Sequence, residues 1–166
     1  IAFIQNFGDK IIMRVAFFIL LAFFPILSNA WQYQEQSDKM RDGNTKYASI
    51  ESTNSVQFAF PYNGGSKLNL LIRKSQKSGS NVLLQINKGA FICFIECTVH
   101  VKFDNGKVER FGAASAADGS PNVIFVQAYS KFVGSLRKAK KLIIEADFYN
   151  EGSRQFEFDV EGLKWE

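Results

Sequence analysis

Alternation of apolar and polar residues constrains the fold of this chain more than any other feature. In the segment 154–161, apolar residues recur at every second position, as Phe156, Phe158 and Val160. Because a strand turns successive side chains to opposite faces, this pattern predicts an antiparallel strand with one buried and one solvated face. The same period recurs at 68–72 and at 99–103, so the sequence predicts a mainly β fold.

Turn signals divide the chain into short strands. The run Pro61–Gly65 and the run Asp104–Gly106 each lie between alternating segments, and an Asn-Gly pair in that position is a strong hairpin signal. The predicted strands are 47–52, 56–60, 68–74, 81–87, 99–103, 107–111, 122–127, 142–149 and 154–161. The segment 31–46 is interpreted as a polar arm, 90–95 as a buried apolar run and 112–121 as a long loop.

One segment departs from the strand period. Tyr129, Phe132, Val133 and Leu136 follow helical spacing, which predicts one amphipathic helix near 129–140. About eight or nine short strands with a single helix favour an antiparallel β-sandwich or a bent barrel, with the helix packed on one end or edge.

The segment 13–30 is typical of a secretory signal peptide. It has Met13, a positive charge at Arg14, an apolar run at Val15–Leu27 and small residues at its end. The run is shorter than the roughly 20 residues of a membrane-spanning helix, and a retained N-terminal anchor is the alternative. Residues 1–12 are interpreted as an upstream, non-native extension. We expect a periplasmic or secreted protein whose residues 31–166 form a single β-rich domain without a stable membrane span.

Cys93 and Cys97 are the two cysteines of the chain. In an oxidising compartment, this spacing predicts one disulfide that closes a tight turn. The alternatives are two free buried thiols, or a redox or metal pair. A metal or redox pair needs further ligands, and the lone histidine, His100, is expected on the solvent side of its strand. We therefore expect no metal and no cofactor.

The charge balance argues against a nucleic-acid binder. Without Asp9, Lys10 and Arg14, the net charge of the chain falls from +4 to about +3, which is mild for such a function. Much of the excess lies in 137–141. For an exported protein, anionic lipid headgroups or polysaccharides would be more natural partners of this patch than nucleic acid, and a solvated helix end is a simpler interpretation than either. The partner expected for the protein as a whole is an envelope protein or a polysaccharide.

Catalytic motifs for a serine nucleophile, a zinc ion or a phosphate loop are missing from the sequence. Four carboxylates lie on the last two predicted strands: Glu145, Asp147, Glu157 and Asp159. Paired carboxylates could hydrolyse a cell-wall glycan, but such residues are more often the solvated face of a sheet. We expect a non-enzymatic protein, with the glycan hydrolase as the alternative.

Three surface features are candidates for binding. They are the 112–121 loop with Asp118 and Ser120, the Pro61–Gly65 turn with Tyr62, and the basic helix end with Arg137, Lys138, Lys140 and Lys141. Long loops on rigid β scaffolds often carry binding residues. The leading hypothesis is an exported, non-catalytic binding or envelope-associated protein of unknown ligand. An inhibitor of another periplasmic enzyme is a further alternative.

Five short stretches carry a resemblance to a known group of proteins. They are Trp31–Tyr33, Ser52–Asn54, Phe60–Tyr62, Phe103–Lys107 and Gly152–Phe158. Through them the chain resembles a family of uncharacterised exported proteins of Gram-negative bacteria. More remotely, its order of cysteine turn, hairpin, strand, helix and two terminal strands is similar to the invasion-associated protein B group, which are periplasmic or surface β-proteins. Neither resemblance assigns a functional residue.

Overall fold

The computed structural model describes residues 30–38, 40, 43–77 and 79–166. The predicted extension 1–12 and the predicted signal peptide 13–30, except for Ala30, lie outside these residues. The described residues form nine strands and one helix. In chain order they are β1 (Gln32–Asp38), β2 (Gly43–Glu51), β3 (Leu68–Ser75), β4 (Gly79–Ile86), β5 (Glu96–Phe103), β6 (Glu109–Ser115), β7 (Val123–Val126), α1 (Tyr129–Leu136), β8 (Lys141–Phe148) and β9 (Gly152–Asp159).

All nine strands belong to one antiparallel sheet with the order β1-β2-β3-β4-β7-β6-β5-β8-β9. The prediction of a mainly β fold with eight or nine antiparallel strands and one helix is confirmed. The strands form a single open sheet, which is neither split into the two sheets of a sandwich nor closed into a barrel. Helix α1 ends at Leu136, four residues before the predicted end.

The sheet curves around a core that lies on its inner face. In β9 the alternation predicts the burial correctly, since Phe156 and Phe158 are buried while Gln155 and Glu157 are exposed. The curvature brings the two ends of the sheet together, because the indole Nε1 of Trp31 donates to the carbonyl oxygen of Val160 at 3.0 Å. The alternation of buried and exposed side chains leaves one face of the sheet dry and the other wet.

Helix α1 covers the inner face at one end of the strands. It buries Phe132, Val133 and Leu136. The ring of Phe132 meets those of Phe103 and Phe111 edge-on, with centroids 5.6 and 5.3 Å apart, which is a favoured aromatic geometry. The helical stripe in the sequence thus correctly indicates the buried face of the helix.

The β2–β3 connection (52–67) covers the other end of the core. The predicted strand 56–60 is wrong, since the segment forms only the single bridge of Val56 with Ser66. Phe58 is buried with its ring centroid 5.2 Å from that of Phe148, whereas Phe60 is 87% exposed. Phe58 covers the end of the core from a segment that does not join the sheet. The apolar alternation of 56–60 therefore does not indicate a strand.

The same connection also covers the centre of the outer edge of β9. The backbone N–H of Thr53 donates to the carbonyl oxygen of Glu157 at 2.7 Å. The side-chain amide of Asn54 donates to the carbonyl oxygen of Gln155 at 3.0 Å and accepts from the N–H of Glu157 at 2.8 Å. Backbone groups that an edge strand would leave unpaired are thereby satisfied.

Two further predictions need correction. The polar arm 31–46 contains β1 and the first part of β2, which pair as a hairpin. Both faces of β1 are largely exposed, so its sequence lacks the apolar alternation that reveals a half-buried strand. The predicted loop 112–121 begins later, because β6 continues to Ser115. Among the described residues, no helix is long and apolar enough to cross a membrane.

Candidate functional site

The Cys93–Cys97 loop is the most unusual surface feature of the described residues. The sulfur atoms of the two cysteines lie at disulfide-bonding distance, as predicted, and their Cα atoms are 5.1 Å apart. Both cysteines are half-buried against the core, so the residues between them are forced outward. The loop leads directly into β5, which begins at Glu96.

Two consecutive apolar side chains lie at the tip of this loop. Phe94 is 89% exposed, Ile95 is 79% exposed and Ile92 is 41% exposed, so the prediction that 90–95 is a buried run is wrong for most of its length. Phe91 is buried, with its ring centroid 4.8 Å from that of Phe148. A tight loop between cysteines cannot turn two adjacent large side chains toward the same core. Exposed apolar clusters of this kind mark interaction surfaces.

Hydrogen bonds hold the backbone of the loop and of the residue before it from two sides, although the side chains of Phe94 and Ile95 are exposed. The N–H of Ser115 donates to the carbonyl oxygen of Ile95 at 3.2 Å, and the Ser115 hydroxyl donates to that of Phe94 at 3.2 Å. On the other side, the N–H of Ile92 donates to the carbonyl oxygen of Asp147 at 2.9 Å. A partner would therefore meet a preorganised surface, which lowers the entropic cost of binding.

A groove of about 580 Å³ lies beside the loop, and we call it the apolar groove. Its walls come from the segment 90–94, the segment 115–121, the start of β7 and Tyr149, which follows β8. They are uncharged, and most are apolar or small: Phe91, Ile92, Phe94, Ala116, Pro121 and Tyr149 are representative. Its size and composition suit one or two apolar side chains of a binding partner.

One carboxylate adjoins the apolar groove. Asp118 precedes Gly119 and Ser120, which both line the groove. The carboxylate of Asp118 accepts the backbone N–H of Ser120 at 3.0 Å, and the hydrogen bonds from the backbone and side chain of Ser120 lower the pKa of Asp118. Asp118 is therefore ionised at neutral pH, and this side of the groove is negative.

The structure brings some of the predicted binding residues together and separates the rest. Ser120 lines the apolar groove and Asp118 adjoins it. Tyr62 is half-buried and packs against the core, so its ring is only partly available to a partner. All four residues of the basic helix end are exposed: Arg137, Lys138, Lys140 and Lys141. They lie beyond α1, at the other end of the strands.

The lysines of the basic helix end also differ in their ion-pair partners. Lys140 pairs with Glu161 at 3.1 Å, and Lys141 forms an ion pair with Asp159. That carboxylate raises the pKa of Lys141 through its hydrogen bond and its charge. Lys138 has no ion-pair partner among the described residues. These lysines therefore form a solvated surface and do not converge on one point.

The predicted catalytic carboxylates lie on the wet face with different partners. Glu145 accepts a hydrogen bond from Gln155 at 2.7 Å and lies 3.6 Å from Nδ1 of His100. Asp147 accepts from Ser153, and Asp159 pairs with Lys141. Glu157 lies opposite Ile143 in the β8–β9 register. The histidine is thus half-exposed beside a carboxylate, and Cys97 lies on the other face of β5.

No three histidine, cysteine, aspartate or glutamate side chains in the described part of the chain are grouped to hold a metal ion. No protein-family model, curated protein or solved structure significantly matches the chain. The resemblance to exported proteins of Gram-negative bacteria therefore stays a prediction.

Proposed function

We propose that this protein is an exported, non-catalytic binding protein that captures a partner protein through the apolar groove. The observation that carries the proposal is the exposure of Phe94 and Ile95 on a backbone that hydrogen bonds hold in place. The signal-peptide pattern of 13–30 and the Cys93–Cys97 pair support export, since disulfides persist in oxidising compartments.

The charges around the groove favour a protein segment over a lipid surface. Asp118 would repel the anionic headgroups of a membrane, whereas a basic side chain of a peptide would be attracted. The groove itself is uncharged and takes an apolar anchor. The expected ligand is therefore a segment with one or two large apolar side chains, flanked by lysine or arginine.

The arrangement of the carboxylates supports a non-catalytic role. A glycosidase pairs two carboxylates across its substrate, with a separation of about 5–10 Å. Here Glu145, Asp147 and Asp159 each accept a hydrogen bond from a different side chain on an exposed face. Nothing in these contacts favours acid–base chemistry over a solvated sheet surface.

Site-specific photocrosslinking tests the proposal. Benzoylphenylalanine is introduced at position 94 or, as a matched control, at position 60, where the native phenylalanine is equally exposed but does not line the groove. In envelope extract, we expect a protein adduct from position 94 and none from position 60. A synthetic apolar peptide flanked by lysines should suppress the adduct at about fivefold lower concentration than its glutamate-flanked counterpart.

The outcomes distinguish the hypotheses. Equal adducts from positions 94 and 60, or adducts that neither peptide suppresses, would overturn the proposed site. A captured protein whose mass falls during incubation would contradict a non-catalytic role and favour a hydrolase. Suppression by anionic vesicles instead of by the basic peptide would show that the groove binds a lipid.

A further inference from the structure

A second groove, of about 660 Å³, lies at the opposite end of the strands, and we call it the cationic groove. Four basic side chains and two acidic ones line it: Lys46, Lys74, Arg137, Lys164, Glu35 and Glu166. Its remaining wall is largely aromatic, with Tyr33 and Trp165. Among the basic helix-end residues, Arg137 lines this groove and Lys138 does not.

The curved sheet explains why lysines occupy this position. Ala48 and Ile72 are fully buried on the inner face of β2 and β3. Two residues further along each strand, the same face is occupied by Lys46 and Lys74, because side chains alternate with a period of two. The inner face of the sheet thus extends past the core, and its lining changes from apolar to cationic.

The strand register places these two lysines directly opposite each other. Like charges in that position repel and destabilise a sheet. Neither Lys46, Lys74 nor Arg137 has an ion-pair partner within the described ranges, whereas Lys67, Lys131 and Lys140 pair with carboxylates at 2.7–3.1 Å. Glu35 is the register partner of Lys46, yet its carboxylate accepts the side-chain amide of Asn44. A bound anion would relieve the repulsion.

The aromatic wall is fixed in place. Nε1 of Trp165, which is buried, donates to the hydroxyl of Tyr129 at 2.7 Å, and the N–H of Lys164 donates to the hydroxyl of Tyr33 at 2.7 Å. These bonds hold the C-terminal residues against the sheet. The ring of Tyr33 is still 46% exposed and offers an apolar face to a ligand.

We propose that the cationic groove binds a sugar phosphate, with the phosphate at Lys46, Lys74 and Arg137 and the sugar ring against Tyr33. A phosphate monoester carries nearly two negative charges and three acceptor oxygens, which suits a cluster of cations. Arginine binds such a group through two parallel hydrogen bonds, and lysine binds it as a point charge. The groove is much larger than a phosphate ion, so it has room for the sugar.

Isothermal titration calorimetry with α-glucose 1-phosphate tests this site. Arg137→Gln and Lys74→Gln should each weaken binding about five- to tenfold. Lys138→Gln is the matched control, since it removes a charge from the adjacent position outside the groove, and it should bind as the wild type does. Lys74→Gln should not lower the melting temperature of the free protein, because the substitution removes a repulsion.

Further ligands identify what is recognised. Glucose should not bind, and inorganic phosphate should bind more weakly than the sugar phosphate. Co-sedimentation with phosphatidylcholine vesicles that contain phosphatidic acid would show that a lipid headgroup can supply the phosphate. Failure of glucose 1-phosphate to bind, or equal losses in the Arg137→Gln and Lys138→Gln variants, would overturn the proposal. Binding by inorganic phosphate as strong as that by the sugar phosphate would eliminate the role of Tyr33.

Discussion

Asn54→Ala should weaken the attachment of the β2–β3 connection to β9. The substitution removes two hydrogen bonds, one to the carbonyl oxygen of Gln155 at 3.0 Å and one from the N–H of Glu157 at 2.8 Å. A net hydrogen bond contributes about 0.5–1.5 kcal/mol. Because this site is exposed, we take the lower half of that range, which gives about 1–2 kcal/mol for the pair.

Urea unfolding and amide hydrogen exchange measure this loss. With a slope of about 2 kcal/mol per molar urea, the midpoint should fall by about 0.5–1 M. Exchange at the amide of Glu157 should accelerate, since its acceptor is the deleted side chain. Asn54→Asp keeps that acceptor but loses the donor to Gln155, so it should destabilise the protein while the amide of Glu157 stays protected.

The matched control is Asn63→Ala. Asn63 is an exposed residue of the same connection, and its side chain makes no hydrogen bond within the described part of the chain. This variant should keep the wild-type midpoint. If Asn54→Ala also kept it, with unchanged exchange at Glu157, the attachment would contribute nothing to stability and the reasoning would be refuted.

Three other changes have defined outcomes. The Asp104 carboxylate accepts two backbone N–H groups at the start of β8, both at 2.9 Å, and they lower its pKa. Asp104→Asn should therefore be less stable than the wild type above pH 3.8, which is the ordinary pKa of this carboxyl group. The difference in melting temperature should vanish as the pH falls from 3.8 through the lowered pKa of the folded protein, and a constant difference would contradict this. Gly89→Ala should lower the urea midpoint, because the residue has φ +133° and its new Cβ would lie 2.6 Å from the ring of Phe58; an unchanged midpoint would contradict the close packing. Reduction of the Cys93–Cys97 pair should add 2 Da and cost about 2 kcal/mol for so short a loop; two thiols that alkylate without reductant would show that the disulfide is not formed.

Strands with one wet and one dry face were predictable from the sequence. In β9 the alternation alone indicates which side chains are buried, because a half-buried strand imposes a period of two. The same rule fails for β1, since both of its faces are wet, and for 56–60, where apolar residues recur at every second position although the segment is not a strand and Phe58 covers the end of the core. Residue propensity and apolar period do not indicate that β1 is exposed on both faces or that Phe58 covers the end of the core, because both features depend on tertiary packing.

The two candidate sites were predictable only in part. The sequence indicates that the loop with Asp118 and Ser120 could bind a partner, but Phe94 and Ile95 are predicted to be buried. Two adjacent large residues inside a four-residue cysteine spacing were the signal that they point outward. For the cationic groove, Arg137 is predicted as a candidate, whereas its neighbours in space come from distant strands and depend on the strand register.

The coverage of one sheet edge limits how copies of this molecule can assemble. Thr53 and Asn54 occupy the centre of the β9 edge, whereas β1 pairs on one side only within the described ranges. A sheet that is open at both edges can add copies without end, but the strands described here offer a single edge. Two β1 edges could meet only about a two-fold axis, and that contact uses both of them. Strand addition would therefore stop at a symmetric pair and could not propagate into a fibre.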